Sequence, residues 1–394
     1  MTTNVGSGYV ASLSNESKTS LQSEYTARSA ASTYAQYREI TSAIKNALIK
    51  VETGKFYRLK NVSKGTFAYL NPTDSLLYVG KTADEAQSLI GSIVQFEESG
   101  DGTYAMLWQG LPMYGVNGNY AKYGVNPVYR MSQGLGATQL SASRIEFAAP
   151  GEVSIYGGAS SRGDYGYLHA QGDGAVVSWS AAETASKWNI IEATSLNVLP
   201  SVLDGVGYTT LYLPFAATIN PDDAESRQVN FYILESKDGD ELTTTLVDDN
   251  VIPANTGVLL RSVNGAATVR LALGGTPTAD TSNNVLEGNN FRVARDDSYH
   301  TYCFSTALGA KSFYDYTGAY VPANKAYLTD RNGAVHGLLL NFGDDDITSI
   351  PDIANQHGAV VTRKANVFDL QGRRVSSMQR RGFYIVNGKK IIKK

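Results

Sequence analysis

Three stretches decide the fold, since each opens on a glycine and continues as a strand-like run: Gly54-Lys-Phe-Tyr-Arg-Leu59, Gly102-Thr-Tyr-Ala-Met-Leu107 and Gly151-Glu-Val-Ser-Ile-Tyr156. Each repeat closes on a serine followed by two large apolar residues in alternation: Ser92-Ile-Val94-Gln-Phe96, Ser143-Arg-Ile145-Glu-Phe147 and Ser186-Lys-Trp188-Asn-Ile190. Openings and closings both recur at roughly 50 residues, so two independent markers give one period. Three repeats of about four short strands predict a closed threefold β-architecture over residues 54–194, rather than a solenoid.

The closing strands resemble the ricin-B-like β-trefoil family, in which each repeat ends in a Gln-x-Trp signature whose aromatic ring enters the shared core. Ser186-Lys187-Trp188 comes close to that signature. Val94 and Ile145 stand where the other two tryptophans would be. The resemblance implies a β-trefoil for residues 54–194 and sugar binding as its function.

Composition sets further bounds on the class of protein. A chain of 394 residues is expected to form two to four domains, and its net charge of −3 gives no electrostatic reason to expect nucleic acid. No apolar run is long enough to predict a membrane span. The single cysteine, Cys303, excludes an internal disulfide, and no Cys/His spacing predicts zinc or another cofactor.

The N-terminal region predicts disorder followed by a helix. Residues 1–15 are rich in Ser, Thr, Gly and Asn, and no signal peptide is visible, which we expect to reflect its removal. Residues 16–53 predict one amphipathic helix with an apolar stripe along one face, which Arg28 and Ser29 interrupt. The apolar residues that recur at helical spacing are Ala30, Tyr34, Tyr37, Ile40, Ile44, Leu48 and Val51. One such helix cannot cover its own stripe, so it must pack on the trefoil, on an upstream helix or on another copy.

Residues 195–343 predict a β-sandwich built from short strands and tight turns. Two segments have similar sequences, since a Pro-Ala-Asn turn precedes an apolar strand in both: Ile252-Pro-Ala-Asn-Thr-Gly-Val-Leu-Leu260 and Val321-Pro-Ala-Asn-Lys-Ala-Tyr-Leu328. The region resembles a non-catalytic module common in secreted proteins of Bacteroidales-type bacteria.

Residues 344–366 predict a linker, and the last block, residues 367–394, predicts a small β hairpin segment. Asn387-Gly388 has the composition of a two-residue hairpin turn between Tyr384-Ile-Val386 and Lys389-Lys-Ile-Ile392. This block, with Asp369-Leu-Gln-Gly-Arg-Arg374, resembles the C-terminal sorting domains of type IX secretion. The resemblance implies secretion machinery as a partner and an extracellular or outer-membrane location. The alternative is a terminal hairpin that merely completes a module.

No catalytic or metal-binding pattern is present in the sequence. The four histidines share no ligand spacing, and no nucleophile elbow, zinc-protease motif or phosphate loop occurs. Asp164, Asp173 and Glu183 are the only local carboxylate candidates, and their neighbouring glycines favour turn positions. We therefore predict no catalytic residues, no metal and no cofactor in this chain.

Binding is the chemistry that remains, since sugars are held by an aromatic face together with carboxylate or amide groups. The third repeat offers Asp164, Tyr165, His169, Gln171, Asp173 and Trp179. The second repeat offers Trp108, Asn117, Asn119 and Tyr120. Trp108 and Trp179 fit either a surface or a core position, whereas Trp188 and the repeat-equivalent Tyr69, Tyr114 and Tyr167 are expected to fill the core.

Three hypotheses follow from the sequence. The leading one is a secreted or cell-surface, non-catalytic protein whose trefoil binds glycans or glycoproteins. The second is the C-terminal ancillary region of a larger secreted glycoside hydrolase or peptidase with its catalytic domain upstream. The third is a structural or adhesive surface protein without a sugar site.

Overall fold

The computed structural model describes most of the chain up to residue 342 and four short C-terminal segments. The described residues are 13, 15–49, 51–100, 102–116, 128–131, 143–158, 165–219, 228–238, 241–263, 265–306, 311–330, 337–342, 367–369, 374–375, 382–386 and 389–393. The chain divides into two compact units, Met1–Thr348 and Ser349–Lys394. The predicted linker, residues 344–366, lies outside the described residues. Of the predicted disordered residues 1–15, residues 1–12 and 14 also lie outside them, whereas Leu13 is buried and Asn15 begins a helix.

The N-terminal region forms two helices, α1 (Asn15–Arg28) and α2 (Tyr34–Ala47), where the sequence predicted a single one. The second helix begins with a reciprocal cap, because Thr33 Oγ1 accepts from Gln36 N at 3.3 Å and Gln36 Oε1 accepts from Thr33 N at 3.1 Å. This cap restarts the helix directly after the interruption in the stripe.

The two helices cover each other and contact the trefoil. Their shared core contains Leu21 and Leu48, packed against Phe147 of the second repeat. Two members of the predicted stripe do not join it, since Tyr34 is 79% exposed and Tyr37 is 44% exposed. Of the three predicted packing arrangements, the described residues show packing on the trefoil, combined with pairing between the two helices.

The described residues between 56 and 192 form twelve strands, four in each repeat. The first repeat contains β1 (Phe56–Asn61), β2 (Phe67–Asn71), β3 (Leu76–Lys81), helix α3 (Ala83–Gln87) and β4 (Val94–Gly100). The second contains β5 (Thr103–Trp108), β6 (Leu111–Val116), β7 (Val128–Met131) and β8 (Ser143–Ala149). The third contains β9 (Glu152–Tyr156), β10 (Tyr165–Ala170), β11 (Val176–Ser180) and β12 (Trp188–Glu192).

Strand pairing closes these repeats on one another. Within each repeat the first strand pairs with the fourth, as β1–β4, β5–β8 and β9–β12. Between repeats the pairs are β4–β5, β8–β9 and β12–β1, which complete a six-stranded ring. The second and third strands of each repeat form a hairpin outside the ring: β2–β3, β6–β7 and β10–β11. This pattern is a β-trefoil, and the predicted fold class is confirmed.

The trefoil core is formed by inward-facing residues from the strands of all three repeats. Trp188 is fully buried, as predicted, and its Nε1–H donates to the Leu168 carbonyl at 2.8 Å. Val94 and Ile145, at the equivalent positions, are buried in the same core. One tryptophan and two aliphatic side chains therefore fill the three equivalent positions.

Residues 195–341 form a second all-β region. Its strands are β13 (Ser195–Val198), β14 (Ser201–Leu203), β15 (Val206–Tyr212), β16 (Ala217–Ile219), β17 (Val229–Asp238), β18 (Glu241–Leu246), β19 (Val251–Ile252), β20 (Gly257–Ser262), β21 (Val269–Leu273), β22 (Glu287–Asn289), β23 (Val293–Ala294), β24 (His300–Ser305), β25 (Ser312–Asp315), β26 (Tyr320–Val321), β27 (Lys325–Asp330) and β28 (Gly337–Asn341). They form a four-stranded sheet (β13-β21-β16-β19), a ten-stranded sheet (β14-β15-β20-β17-β18-β28-β25-β24-β27-β22) and the pair β23–β26.

The predicted β-sandwich is confirmed, and the structure adds a second core to it. Successive side chains of a strand point to opposite faces, and β17 buries both of its faces. Phe231 and Ile233 pack with the four-stranded sheet, whereas Tyr232 and Leu234 pack with Tyr302 and other residues of the far half of the ten-stranded sheet. Strand β17 therefore lies between two apolar layers.

The two Pro-Ala-Asn segments form the same turn. Asn255 has a φ of 55° and Asn324 a φ of 58°, a left-handed conformation that asparagine tolerates better than most residues. Asn324 also joins the second region to the trefoil. Its side-chain amide exchanges two hydrogen bonds with Gln109, at 2.8 and 3.0 Å, and both residues are buried.

The described residues of the C-terminal unit form a four-stranded antiparallel sheet in the order β30-β29-β31-β32. Its strands are β29 (Val367–Asp369), β30 (Arg374–Val375), β31 (Gly382–Val386) and β32 (Lys389–Lys393). Val386 lies opposite Lys389, which places a two-residue connection where Asn387-Gly388 predicts one. Asn387 and Gly388 themselves lie outside the described residues.

Candidate functional site

The hairpin β10–β11 of the third repeat presents a row of aromatic side chains outward. Along β10, Gly166, Leu168 and Ala170 are buried, while the alternate residues Tyr165, Tyr167 and His169 are partly exposed. Trp179 lies directly opposite Tyr167 on β11 and is also partly exposed. We call these four residues, Tyr165, Tyr167, His169 and Trp179, the third-repeat aromatic surface.

The rings of this surface contact one another around Trp179. The ring centroids of Tyr165 and Trp179 are 5.1 Å apart at an interplanar angle of 89°, an edge-to-face contact. The His169 ring lies 6.0 Å from Trp179. Trp179 is thus held between two neighbours on a rigid hairpin instead of extending from a loop.

Hydrogen bonds fix the orientation of His169. Its Nδ1 lies 2.9 Å from Ser186 Oγ, and that hydroxyl donates its single hydrogen to the Ser180 carbonyl at 2.6 Å. Ser186 must therefore accept from His169, which assigns the hydrogen to Nδ1 and leaves Nε2 as an acceptor. Burial lowers the pKa of His169 below its ordinary value of 6.5, in agreement with a neutral ring.

A polar group adjoins the aromatic surface across β8 and β9. Tyr167 Oη donates to Glu146 Oε2 at 2.9 Å, and burial together with this bond raises the pKa of Tyr167 to about 12. Arg144 Nε lies 3.7 Å from Glu146 Oε1. The Arg144 guanidinium stacks over Tyr156 at 4.2 Å, and the Tyr156 ring is 5.4 Å from Tyr167.

Sequence reasoning missed Arg144, Glu146 and Tyr156 as neighbours of this surface. The closing strand Ser143-Arg-Ile145-Glu-Phe147 does indicate that Arg144 and Glu146 point away from the core, because Ile145 and Phe147 alternate with them. Their contact with β10 depends on β9 lying between the two strands. The Tyr156 ring packs closely on Gly166, and a Cβ at that position would force the ring to move.

The other third-repeat candidates lie in or beyond the turn. Asp173 Oδ1 accepts from Ala175 N at 3.1 Å in an Asx-type turn, so Asp173 shapes the turn that follows β10. Gln171 N donates to the Ala175 carbonyl at 2.9 Å, and Gln171 Oε1 is buried without a hydrogen-bond partner in the described part of the chain. Asp164 lies outside the described residues.

The second-repeat candidates do not form a described site. Trp108 is fully buried in the trefoil core, so its prediction as a sugar contact is corrected. Asn117, Asn119 and Tyr120 lie outside the described residues. The core prediction for Tyr69, Tyr114 and Tyr167 was also wrong, because each is partly exposed while neighbouring Leu70, Met113 and Leu168 are buried.

The described residues contain neither a metal-binding cluster nor a membrane-spanning helix. No group of three or more His, Cys, Asp and Glu side chains among them is placed to hold a metal ion. No helix in the same described ranges is both long and apolar enough to cross a membrane.

Comparison with known proteins gave only partial likenesses. No family model matches the chain, and no curated protein matches it. Among solved structures it is similar to the designed threefold-symmetric protein ThreeFoil, at 15% identity over 35% of this chain and 99% of that one, with a TM-score of 0.27.

Two further likenesses cover the same share of the chain. A Macrolepiota procera ricin B-like lectin in complex with lactose is 16% identical over 37% of this chain and 100% of that one, with a TM-score of 0.28. SeviL bound to asialo-GM1 saccharide is 19% identical over 35% of this chain and 98% of that one, with a TM-score of 0.27. The β-trefoil assignment rests on the strand pairing described above.

Proposed function

We propose that this protein binds glycans without transforming them, through the third-repeat aromatic surface. The observation that carries this proposal is the placement of Trp179 between Tyr165 and His169 on one outward hairpin face, at ring separations of 5.1 and 6.0 Å. A pyranose ring has an apolar face that packs on such aromatic rings, and hydroxyls that need donors and acceptors around it.

The polar groups beside the rings suit hydroxyl recognition. His169 Nε2 offers an acceptor, because Nδ1 is committed to Ser186 at 2.9 Å. Glu146 and Arg144 add acceptors and donors next to Tyr167. The charges of Glu146 and Arg144 offset each other, so the surface favours neutral saccharides. A single shallow surface of this kind is expected to bind at about millimolar, or about −4 kcal/mol.

Substitution of Trp179 tests the proposal directly. Retention on a panel of neutral glycans, or ligand-observed NMR with the saccharide that the panel selects, should weaken about tenfold or more in Trp179→Ala. The matched control is Tyr69→Ala, which removes a partly exposed aromatic ring from the hairpin of the first repeat and should leave binding unchanged. Absence of binding by the folded wild-type protein at millimolar glycan, or equal losses in both variants, would refute the assignment.

The two alternatives from the sequence make different predictions. As the ancillary region of a larger glycoside hydrolase or peptidase, the chain would bind glycan equally well. Hydrolysis by the product of the full open reading frame, measured beside this chain alone, distinguishes that arrangement from a free-standing lectin-like protein. A purely adhesive surface protein would show no glycan retention at all.

For the C-terminal unit we propose a sorting role in type IX secretion by a Bacteroidales-type bacterium, which would place the protein outside the cell or on the outer membrane. Its support is the sequence resemblance of residues 367–394 together with their separate four-stranded sheet. Deletion of residues 367–394 should retain the protein in the periplasm of its own host. Normal surface display of that deletion variant would count against the role.

A further inference from the structure

An open cleft of about 480 Å³ lies where the first trefoil repeat meets the second all-β region. Pro72 and Thr73, from the turn between β2 and β3, form one wall. The opposite wall belongs to the second region and is formed by Arg292, Tyr316, Ala319, Tyr320, Pro322 and Ala323. No acidic side chain is present among the described residues that line the cleft.

The backbone around Arg292 is anchored on both sides of the cleft. The preceding residue, Phe291, is buried in the trefoil core, and Arg292 N donates to the Pro72 carbonyl at 3.1 Å. The residues that follow form β23, which pairs with β26 so that Ala294 lies opposite Tyr320. Arg292 and Tyr320 are thus held side by side by regular structure.

The loop that carries the aromatic rings is fixed as well. Tyr316 Oη donates to the Tyr320 carbonyl at 2.8 Å, and Arg295 Nε donates to the Gly318 carbonyl at 3.1 Å. A Cβ at residue 318 would clash with the outer end of the Tyr316 ring, which would have to move. The aromatic wall of the cleft is therefore preorganised, and binding need not order it.

Arg292 is the charged group of the cleft. Its guanidinium carbon lies over the Tyr320 ring, 4.2 Å from the ring centroid, in a cation–π contact that uses no hydrogen bond of the guanidinium. Within the described ranges its side chain has no hydrogen-bond or ion-pair partner, in contrast to Arg295, whose guanidinium lies 2.6 Å from an Asp297 oxygen. A ligand with a planar anion matches the donors of the Arg292 guanidinium bidentately.

We propose that this cleft binds a carboxylate-bearing saccharide, such as a hexuronic acid unit of an acidic glycan. The carboxylate lies on the edge of the Arg292 guanidinium, and the apolar face of the sugar ring packs on Tyr320, whose side chain is 47% exposed. Thr73 supplies a hydroxyl on the opposite wall. This cleft is separate from the third-repeat aromatic surface and does not depend on binding there.

A matched pair of ligands tests the proposal. Trigalacturonate and its fully methyl-esterified form share their rings and hydroxyls and differ in charge. Ligand-observed NMR at low salt should show the acid binding wild-type protein about tenfold tighter or more, because the ester cannot pair with Arg292. Raised salt should reduce that preference.

Variants locate the binding in this cleft. Arg292→Gln keeps the backbone bond to Pro72 and should remove the preference for the acid, and Tyr320→Leu should weaken binding of both forms. Trp179→Ala should leave the preference intact, which separates this site from the proposed trefoil site. Thermal denaturation confirms that each variant is folded.

Several results would overturn the assignment. These are equal binding of acid and ester, an unchanged preference in Arg292→Gln, and loss of acid binding in Trp179→Ala. Full competition by acetate at the same carboxylate concentration would show a simple anion site. Full competition by a short acidic peptide would show that the saccharide is not what the cleft selects.

Discussion

The hairpins of the first and third repeats carry aromatic pairs in comparable places and use them differently. In the first, Tyr69 lies opposite Tyr78, with rings 5.8 Å apart at an angle of 29°. In the third, Tyr167 lies opposite Trp179, and Trp179 contacts Tyr165 edge to face at 89°. The two tyrosines of the first repeat are stacked on each other, whereas Trp179 of the third meets Tyr165 edge to face.

The polar groups show the same difference. Tyr78 Oη donates to Asp74 Oδ2 at 2.8 Å, and Lys81, which covers Tyr69 at 5.5 Å, is itself bonded to Glu85 at 3.0 Å. In the first hairpin, Tyr78 and Lys81 are therefore both paired with nearby carboxylates. In the third, His169 Nε2 has no hydrogen-bond partner among the described residues and lies beside an aromatic ring. A threefold scaffold fixes where aromatic pairs occur, and the neighbours of each pair decide whether a ligand has anything to bind.

The largest expected effect is on folding stability, and it distinguishes a core tryptophan from a surface tryptophan within the third repeat. Trp188→Ala removes a fully buried ring and its bond to Leu168, and should lower the free energy of unfolding by about 3–5 kcal/mol. Trp179→Ala should cost under about 1 kcal/mol, since its ring is partly exposed. Urea denaturation of both variants measures this difference. Equal destabilisation would mean that Trp179 belongs to the core and that the aromatic surface is not available to a ligand.

The next largest effect is the loss of stability when the turn aspartates of the first and third hairpins, Asp74 and Asp173, are replaced. Asp74 accepts from Leu76 N at 3.0 Å, from Tyr78 Oη at 2.8 Å and from Asn71 Nδ2 at 3.3 Å. Asp74→Ala breaks all three bonds and should destabilise the protein by about 1–3 kcal/mol without changing glycan binding.

Asp173 is the matched control, because it makes the turn bond to Ala175 N but no bond to an aromatic hydroxyl. Asp173→Ala should cost about 1 kcal/mol or less in the same denaturation experiment. A larger loss of stability for Asp173→Ala than for Asp74→Ala would contradict the view that the aspartate of the first hairpin makes the more stabilising hydrogen bonds.

The sequence predicted the fold more fully than the site, for a physical reason. Recurring glycines and alternating apolar residues encode strand order and the inward face, which is why the trefoil and the burial of Trp188 were predictable. The equivalence of Tyr167 to Tyr69 and Tyr114 in the repeats led to the wrong prediction that Tyr167 fills the core, because a repeat position fixes the strand but a tyrosine is compatible with either face of it. Its actual neighbours, Glu146 and Tyr156, belong to strands that only three-dimensional pairing brings beside β10.

A smaller change in stability and glycan affinity is expected when pH is lowered, through His169 of the third repeat. Burial holds the pKa of His169 below 6.5, so the neutral ring with a free Nε2 acceptor predominates at pH 7. Because the folded-state pKa is depressed, the stability that this group contributes is present above pH 6.5 and is lost as pH falls through the folded-state pKa. Protonation also fills the Nε2 acceptor, so glycan affinity should fall over the same interval.

Imidazole NMR titration beside ligand-observed binding between pH 5 and pH 7.5 checks this expectation. His169→Gln keeps a side chain of similar polarity without a titrating group, and its affinity should not change over that range. A pH-dependent loss of affinity that persists in His169→Gln would assign the effect to another group.

The smallest effect concerns the bond between the aromatic surface and the second repeat. Tyr167→Phe removes the 2.9 Å hydrogen bond to Glu146 while keeping the ring, so stability should fall by about 1 kcal/mol. Glu146 is partly exposed and can bind water in its place, which limits the cost. The same variant should remove a tyrosine that ionises near pH 12 from a spectrophotometric titration. If Tyr167→Phe abolished glycan binding with the fold intact, the phenol hydroxyl and Glu146 would be direct ligand contacts, and the binding surface would extend from the third repeat onto the second.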